Sequence, residues 1–190
     1  MANRNTQGFG LIAAGTLGST PATFGQGKIK IDANYATTIY GGAAVASLAG
    51  YIVEGQGSDT PVLGVLNGIF YNAATTLKPT WQNHYVASTS PANSENTTAF
   101  VIDNPFQLYN VSADAALTQA QIYTTMGLTV TATGSTTSGQ SNSELTVGTV
   151  HVTNNQWRVM RSAEDRQENY ITSGDYSFVS SRNLNQVNSG

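Results

Sequence analysis

From Lys28 onward, apolar and polar residues alternate in short runs. Ile29 and Ile31 are interleaved with Lys28, Lys30 and Asp32. Tyr51-Ile52-Val53 is bounded by Gly50 and Gly55, and Val62-Leu63-Gly64-Val65-Leu66 leads to Ile69-Phe70-Tyr71. Ala99-Phe100-Val101-Ile102 stops at Asp103-Asn104-Pro105. Phe106 and Leu108 alternate with Gln107, Tyr109 and Val111. Leu128 and Val130, then Leu145 and Val147, repeat the pattern among threonines and other polar residues. Trp157, Val159 and Arg161 are placed on one face, and Tyr176 and Phe178 on another. Period-two runs of this length, separated by Gly, Asn, Asp and Ser clusters, predict an all-β protein, an antiparallel β-barrel or β-sandwich.

Helix signals are few. Residues 114–125 hold Leu117, Ile122 and Tyr123, with Thr118 and Gln121 at capping-box spacing and Gly127 as a stop. At most one short helix is expected there. Residues 43–48 follow Gly41-Gly42 and read as strand or turn. Residues 87–98 and 133–143 are rich in Ser, Thr, Asn and Gly, and read as exposed loops.

The first 27 residues read as an extended N-terminal arm. Gly8, Gly10, Gly15, Gly18, Gly25 and Gly27 make it a poor free-standing element, yet it holds Phe9, Leu11, Ile12, Leu17 and Phe24. Two readings stay open: an arm packed along its own domain, or one that orders on a neighbouring subunit. The expected organisation is an arm over 1–27, a β-rich core over 28–183 and a flexible tail over 184–190.

Composition narrows the function. Charged residues are 10% of the 190-residue chain, against about 25% in an ordinary soluble domain. The net charge of −3 leaves no basic field for nucleic acid or anionic lipid. Cysteine is absent, which excludes disulfides and thiolate metal sites. No apolar run is long enough for a membrane-spanning helix, and the polar start lacks the apolar stretch of a secretory signal. Synthesis in a cytoplasm is expected.

Candidate chemistry is thin. His84 and His151 are the only imidazoles, and a G-x-S-x-G nucleophile elbow is absent. Glu54, Asp59, Glu95, Asp103, Asp114 and Glu144 are scattered. Glu164, Asp165 and Glu168 cluster with Arg158, Arg161 and Arg166, and mixed signs at that spacing suggest a solvated or intersubunit polar contact. Gly25-Gln26-Gly27-Lys28 and Gly55-Gln56-Gly57 fall short of nucleotide-binding spacing. Asn96-Thr97-Thr98 and Asn110-Val111-Ser112 match the glycan-acceptor rule. Trp81, Tyr85, Tyr40 and Tyr71 are candidates for an aromatic platform, with core or interface packing as the alternative. No enzymatic activity, cofactor or metal is expected.

Gly8-Phe9-Gly10-Leu11, Gly15-Thr16-Leu17-Gly18, Ile29-Lys30-Ile31 and Gly50-Tyr51-Ile52 occur in an order that resembles the head decoration (cement) proteins of tailed bacteriophages. Residues 35–45, 62–69, 81–87, 99–105 and 134–141 continue the resemblance, followed by Trp157-Arg158-Val159-Met160 and residues 178–183. The chain departs from that family at Gly42-Ala43, where Gly-Asp is frequent, and in residues 81–87, which lack its proline.

The resemblance implies a non-enzymatic virion protein on the outer surface of the capsid. It would stabilise the lattice of the major capsid protein, its partner, and is expected as a homotrimer. Under that reading Phe9, Leu11, Ile12, Leu17 and Phe24 form a capsid-binding arm lying off the chain's own domain. Arg158, Arg161, Arg166, Glu164, Asp165 and Glu168 form a subunit contact. The reading from another class is a carbohydrate-binding or host-adhesion β-sandwich.

Overall fold

The structure is a computed structural model that describes residues 8–17, 25–55, 62–115, 117–129, 134–147, 157–162 and 176–180. Its elements are strands, as the alternation predicts. They are β1 (Ile12–Thr16), β2 (Gly27–Ile31), β3 (Ala44–Leu48), β4 (Tyr51–Glu54), β5 (Val62–Asn72) and β6 (Pro79–Gln82). Then follow β7 (Thr97–Ile102), β8 (Gln107–Ser112), β9 (Thr125–Leu128), β10 (Leu145–Thr146), β11 (Trp157–Ser162) and β12 (Tyr176–Ser180).

The strands form two antiparallel sheets. Sheet A has the order β1-β8-β12-β11-β9-β10. Sheet B has the order β2-β7-β5-β3-β4, with β6 also paired to β5. β7 pairs along one edge of β5, while β3 and β6 share the opposite edge end to end. The β3–β4 connection turns on Ala49 and Gly50, with φ of 50° and 84°. Two consecutive positive φ values suit the right-handed twist of a tight hairpin, and glycine takes the second without a Cβ clash.

Sheet B is buried on both sides at one end. Its outer face there packs on sheet A, in a core of Leu11, Val65, Ile102, Tyr109, Val111, Met126, Leu145, Trp157 and Val159. Its inner face encloses a second core of Ile31, Ile39, Val45, Ile52, Leu66, Ile69, Tyr85 and Val101. β2 and β4, the two ends of the sheet, come near each other but carry no ladder between them. The architecture is therefore a sandwich, with one sheet strongly curled and no closed barrel.

Bulges set which residues face which core. Leu63 and Asn67 are the unpaired residues of β5. Each resets the two-residue phase, so Val65 points to the first core and Leu66 and Ile69 to the second. Met160 is the bulged residue of β11. Trp157 and Val159 are buried, whereas Arg161 is exposed. The expectation of one shared face for these three residues is corrected by that extra residue.

Of three further expectations, the first and third are revised and the second is met at its shortest. First, the arm does not stand off the core over residues 11–17. Leu11 is 3% exposed and β1 is an edge strand paired to β8. Burying Leu11 and completing a ladder outweighs the entropy cost of ordering this glycine-containing stretch. Second, the helix expected over 114–125 is a single 3-10 turn at Gln119–Gln121. Its capping box does form, with Gln121 Oε1 accepting from the Thr118 amide at 2.8 Å. β9 begins at Thr125, leaving too little chain for a helical nucleus to propagate.

Third, the loop over 133–143 is not simply exposed. Gly41 donates to the Gly139 carbonyl at 2.8 Å, and Ser141 donates to the Gly41 carbonyl at 2.9 Å. The Gln140 side-chain amide donates to the Phe9 carbonyl at 2.7 Å. Gly139, Ser141 and Ser143 are buried at this junction of three segments. Backbone hydrogen bonding holds the loop in place with almost no apolar side chain. The tail over 184–190 lies outside the described residues.

Candidate binding surface

The outer face of sheet B continues past the edge of sheet A, and there no described strand covers it. Lys28 pairs with Phe100, which pairs with Gly68. One pleat along, Lys30 pairs with Thr98, Thr98 with Phe70, and Phe70 with Trp81. Cross-strand partners share a face, so these side chains form a strip running across β2, β7, β5 and β6. Trp81 is 58% exposed and Phe70 38%. Their inward neighbours Ile69, Ala99 and Val101 are completely buried in the second core.

Local chemistry fixes the strip. The Trp81 ring lies over Gly68, where a Cβ would come within 2.6 Å of Trp81 Cζ2. Glycine at this position therefore lets the indole lie against the sheet. Lys28 Nζ sits 6.0 Å from the Phe100 ring centroid, within cation–π range. Lys30 Nζ donates to Thr98 Oγ1 at 2.7 Å. Neither ammonium is ion-paired among the described residues. Asp103 stands beside Gly27 at one end of β2 and Asp32 follows Lys30 by two residues at the other; the paired residues between them include no carboxylate.

The residues expected in a capsid-binding arm are dispersed. Leu11 belongs to the core, which removes it from any surface role. Ile12 is 48% exposed on β1, while Phe9 and Leu17 are half-buried. Phe24 lies outside the described residues. Ala14 is a bulge on β1, a feature that blunts an edge against indiscriminate strand pairing.

Of the expected polar subunit contact, Arg158 and Arg161 are described; Glu164, Asp165, Arg166 and Glu168 are not. The bulge at Met160 brings Arg161 to the same outer face of sheet A as Arg158. Arg158 Nε is buried and has no hydrogen-bond partner among the described residues.

The expected aromatic platform separates into core and surface. Tyr85 is fully buried, and its hydroxyl donates to the Tyr35 carbonyl at 2.8 Å. Burial, with Asp32 and Tyr35 adding to it, pushes its phenol pKa up; a backbone hydrogen bond at Thr89 opposes the rise. Tyr40 is buried and stacks on His84, centroids 6.0 Å apart and planes 7° apart. His84 Nδ1 lies 2.9 Å from Asn83 Oδ1, and burial lowers its pKa. Tyr71 is half-buried against the second core. Only Trp81 of the four is strongly exposed.

Sequence reasoning missed Phe70, Phe100, Lys28 and Lys30 as one surface. The unbroken apolar run from Val62 to Leu66 gives no alternation to read, and the bulge at Asn67 hides the phase of Phe70. Strict alternation of Lys28, Ile29, Lys30 and Ile31 was the legible part of the signal. Of the glycan-acceptor asparagines, Asn96 is engaged on both sides of its amide, with Tyr51 and with the Ala33 amide. His151 lies outside the described residues. Among the described residues no group of three or more His, Asp or Glu side chains is placed to hold a metal ion. The chain matches no protein-family model, no curated protein and no solved structure.

Proposed function

We propose that this chain is a non-enzymatic structural protein of a tailed-phage virion, decorating the outside of the head and stabilising the lattice of the major capsid protein. The observation that carries the reading is the outer face of sheet B, where Trp81 and Phe70 stand exposed as cross-strand partners on a weakly charged protein whose other exposed large apolar side chains include Leu48, Leu77, Phe106 and Tyr123. Concentrated exposed aromatics on a rigid sheet are the anchors of a macromolecular contact. The ordered resemblance to head decoration proteins supports the same reading. A surface with few charges suits copies packed closely on a shell, since long-range repulsion between them stays small.

On this reading the protein acts as a homotrimer about a local threefold of the capsid, where each weak contact is repeated by symmetry. The outer face of sheet A, with Arg158 and Arg161, is the candidate subunit contact. The decisive experiment mixes the purified full-length chain with expanded, undecorated heads, followed by sedimentation and electron cryomicroscopy. Stoichiometric density on the shell exterior is expected. Absence of binding overturns the capsid role, and isolated monomers away from any threefold position overturn the trimer.

A second reading, a carbohydrate-binding or host-adhesion module, draws on the same exposed Trp81, since sugar rings stack on indole faces. Its test is glycan-array binding by the full-length protein.

A further inference from the structure

We infer that the bare strip on sheet B docks an acidic, apolar surface of a partner protein, with Trp81 as the anchor and Lys28 and Lys30 selecting the partner by charge. The inference rests on the capsid reading only for the identity of that partner, the shell.

The strip has the composition of a contact core. Trp81 and Phe70 are directly opposed across the β5–β6 ladder. Phe70 emerges from a strand whose neighbour Ile69 is held in the second core, and the Trp81 ring lies against Gly68 of that strand, so little conformational freedom remains to be lost on binding. Trp is the residue most enriched among binding hot spots. Phe100 extends the apolar stretch toward β2, and Lys28 sits on its ring.

Charge then decides what kind of partner fits. The chain carries a net charge of −3 from 8 basic and 11 acidic residues. Two of those basic residues stand on this one face, one pleat apart, with Asp32 and Asp103 at the two ends of β2 and no acid between them. Their ammonium groups are steadied by Phe100 and Thr98 while remaining on exposed residues. A complementary surface presents carboxylates to the lysine end and apolar side chains to Trp81.

A second copy of this chain fits poorly. A two-fold contact of the strip with itself would place four lysines in one interface with no acid from either strip. A neutral sugar also fits poorly. Stacked sugars need donors and acceptors beside the ring for their hydroxyls, and the only charged groups here are donors.

Tryptophan fluorescence tests the inference directly. The chain has two tryptophans, and Trp157 is 2% exposed while Trp81 is 58% exposed. Acrylamide quenching of the folded protein therefore reports on Trp81. On adding undecorated heads to the full-length protein, quenching is expected to fall and the emission to shift blue. Trp81→Ala is expected to weaken binding about 30-fold or more, and Trp81→Phe by less. The double charge reversal Lys28→Glu with Lys30→Glu is expected to slow association and invert its salt dependence. Far-UV circular dichroism identifies any variant that fails to fold, and protection of Trp81 in the unaltered protein then stands as the readout.

Heads that bind while Trp81 stays fully quenchable, with the variants binding like the parent, overturn this inference and leave the capsid reading intact. No binding to heads, with Trp81 protected by polygalacturonate instead, overturns the protein partner in favour of an acidic glycan and removes the capsid reading too. No binding to heads and no protection by polygalacturonate overturns both.

Discussion

Tyr109 meets Trp157 edge-on in the core between the sheets, with ring centroids 5.8 Å apart and planes at 83°. The pair joins β8 to β11 across the intervening β12. The Tyr109 hydroxyl donates to the Ile102 carbonyl of sheet B at 3.0 Å, so one side chain links both sheets. Trp157→Ala should cost about 3–5 kcal/mol through the lost contacts and the cavity. Tyr109→Phe should cost about 1–3 kcal/mol, because it strands a buried carbonyl. Urea denaturation of the two variants checks both, and equal costs would contradict the separate roles.

Leu11 ties the N-terminal segment to the core. Leu11→Ala should destabilise by about 2–5 kcal/mol, whereas Ile12→Ala, half exposed on the same strand, should stay within about 1 kcal/mol. Removing residues 1–17 should lower the thermal midpoint of the remaining chain, because β8 loses one of its two ladder partners and the core loses Leu11. A truncated protein melting at the parent temperature would show that β1 is dispensable to the fold.

Gln107 is a buried polar side chain with one-sided satisfaction. Its Nε2 donates to the Gly15 carbonyl at 2.6 Å and the Leu108 carbonyl at 2.9 Å. Its Oε1 has no partner among the described residues. Gln107→Glu replaces the donor by a carboxylate facing two carbonyl oxygens, at a cost of about 3–5 kcal/mol near neutral pH. Burial favours the protonated acid in the folded state, so the folded chain binds more protons than the unfolded one at mildly acidic pH. The variant should therefore regain stability as pH falls. Urea midpoints of Gln107→Glu at pH 5 and pH 8 test this; an identical deficit at both would refute it.

His84 gives a pH dependence of the opposite sign. Burial lowers its folded pKa below the ordinary value of 6.5. The unfolded chain then binds more protons near and below that value, and stability rises with pH. The contribution is complete above the unfolded pKa and is lost as pH falls through 6.5 toward the folded value. His84→Gln keeps a polar side chain beside Asn83 and Tyr40 without the titration. The stability difference between the parent and this variant should change between pH 5 and pH 8 in that direction, measured by thermal melts. A constant difference would show that His84 does not titrate differently in the two states.

The all-β class and the position of most strands are legible along the chain. Period-two alternation is a local property, and Lys28-Ile29-Lys30-Ile31 or Phe106-Gln107-Leu108-Tyr109 carries it without knowledge of partners, whereas Thr97 and Thr98 read as loop and are strand because they pair with β2 and β5. The capping box of Thr118 and Gln121 is legible in the same way, being set by residues a few positions apart, whereas Gly50 reads only as a strand boundary and the hairpin turn follows from the pairing of β3 with β4. Which faces are covered depends on how the sheets pack. Alternation says that Phe70 and Ile69 point opposite ways, but not that sheet A ends before Phe70 and leaves it bare. Bulges at Leu63, Asn67 and Met160 belong to ladders between distant strands, so their phase shifts are invisible along one chain. The pairing of β1 with β8 depends on a partner about a hundred residues away, and glycines alone read as an arm. The burial of Gly139 and Ser141 rests on backbone hydrogen bonds to Gly41, which every residue but proline can offer and which no side-chain pattern announces.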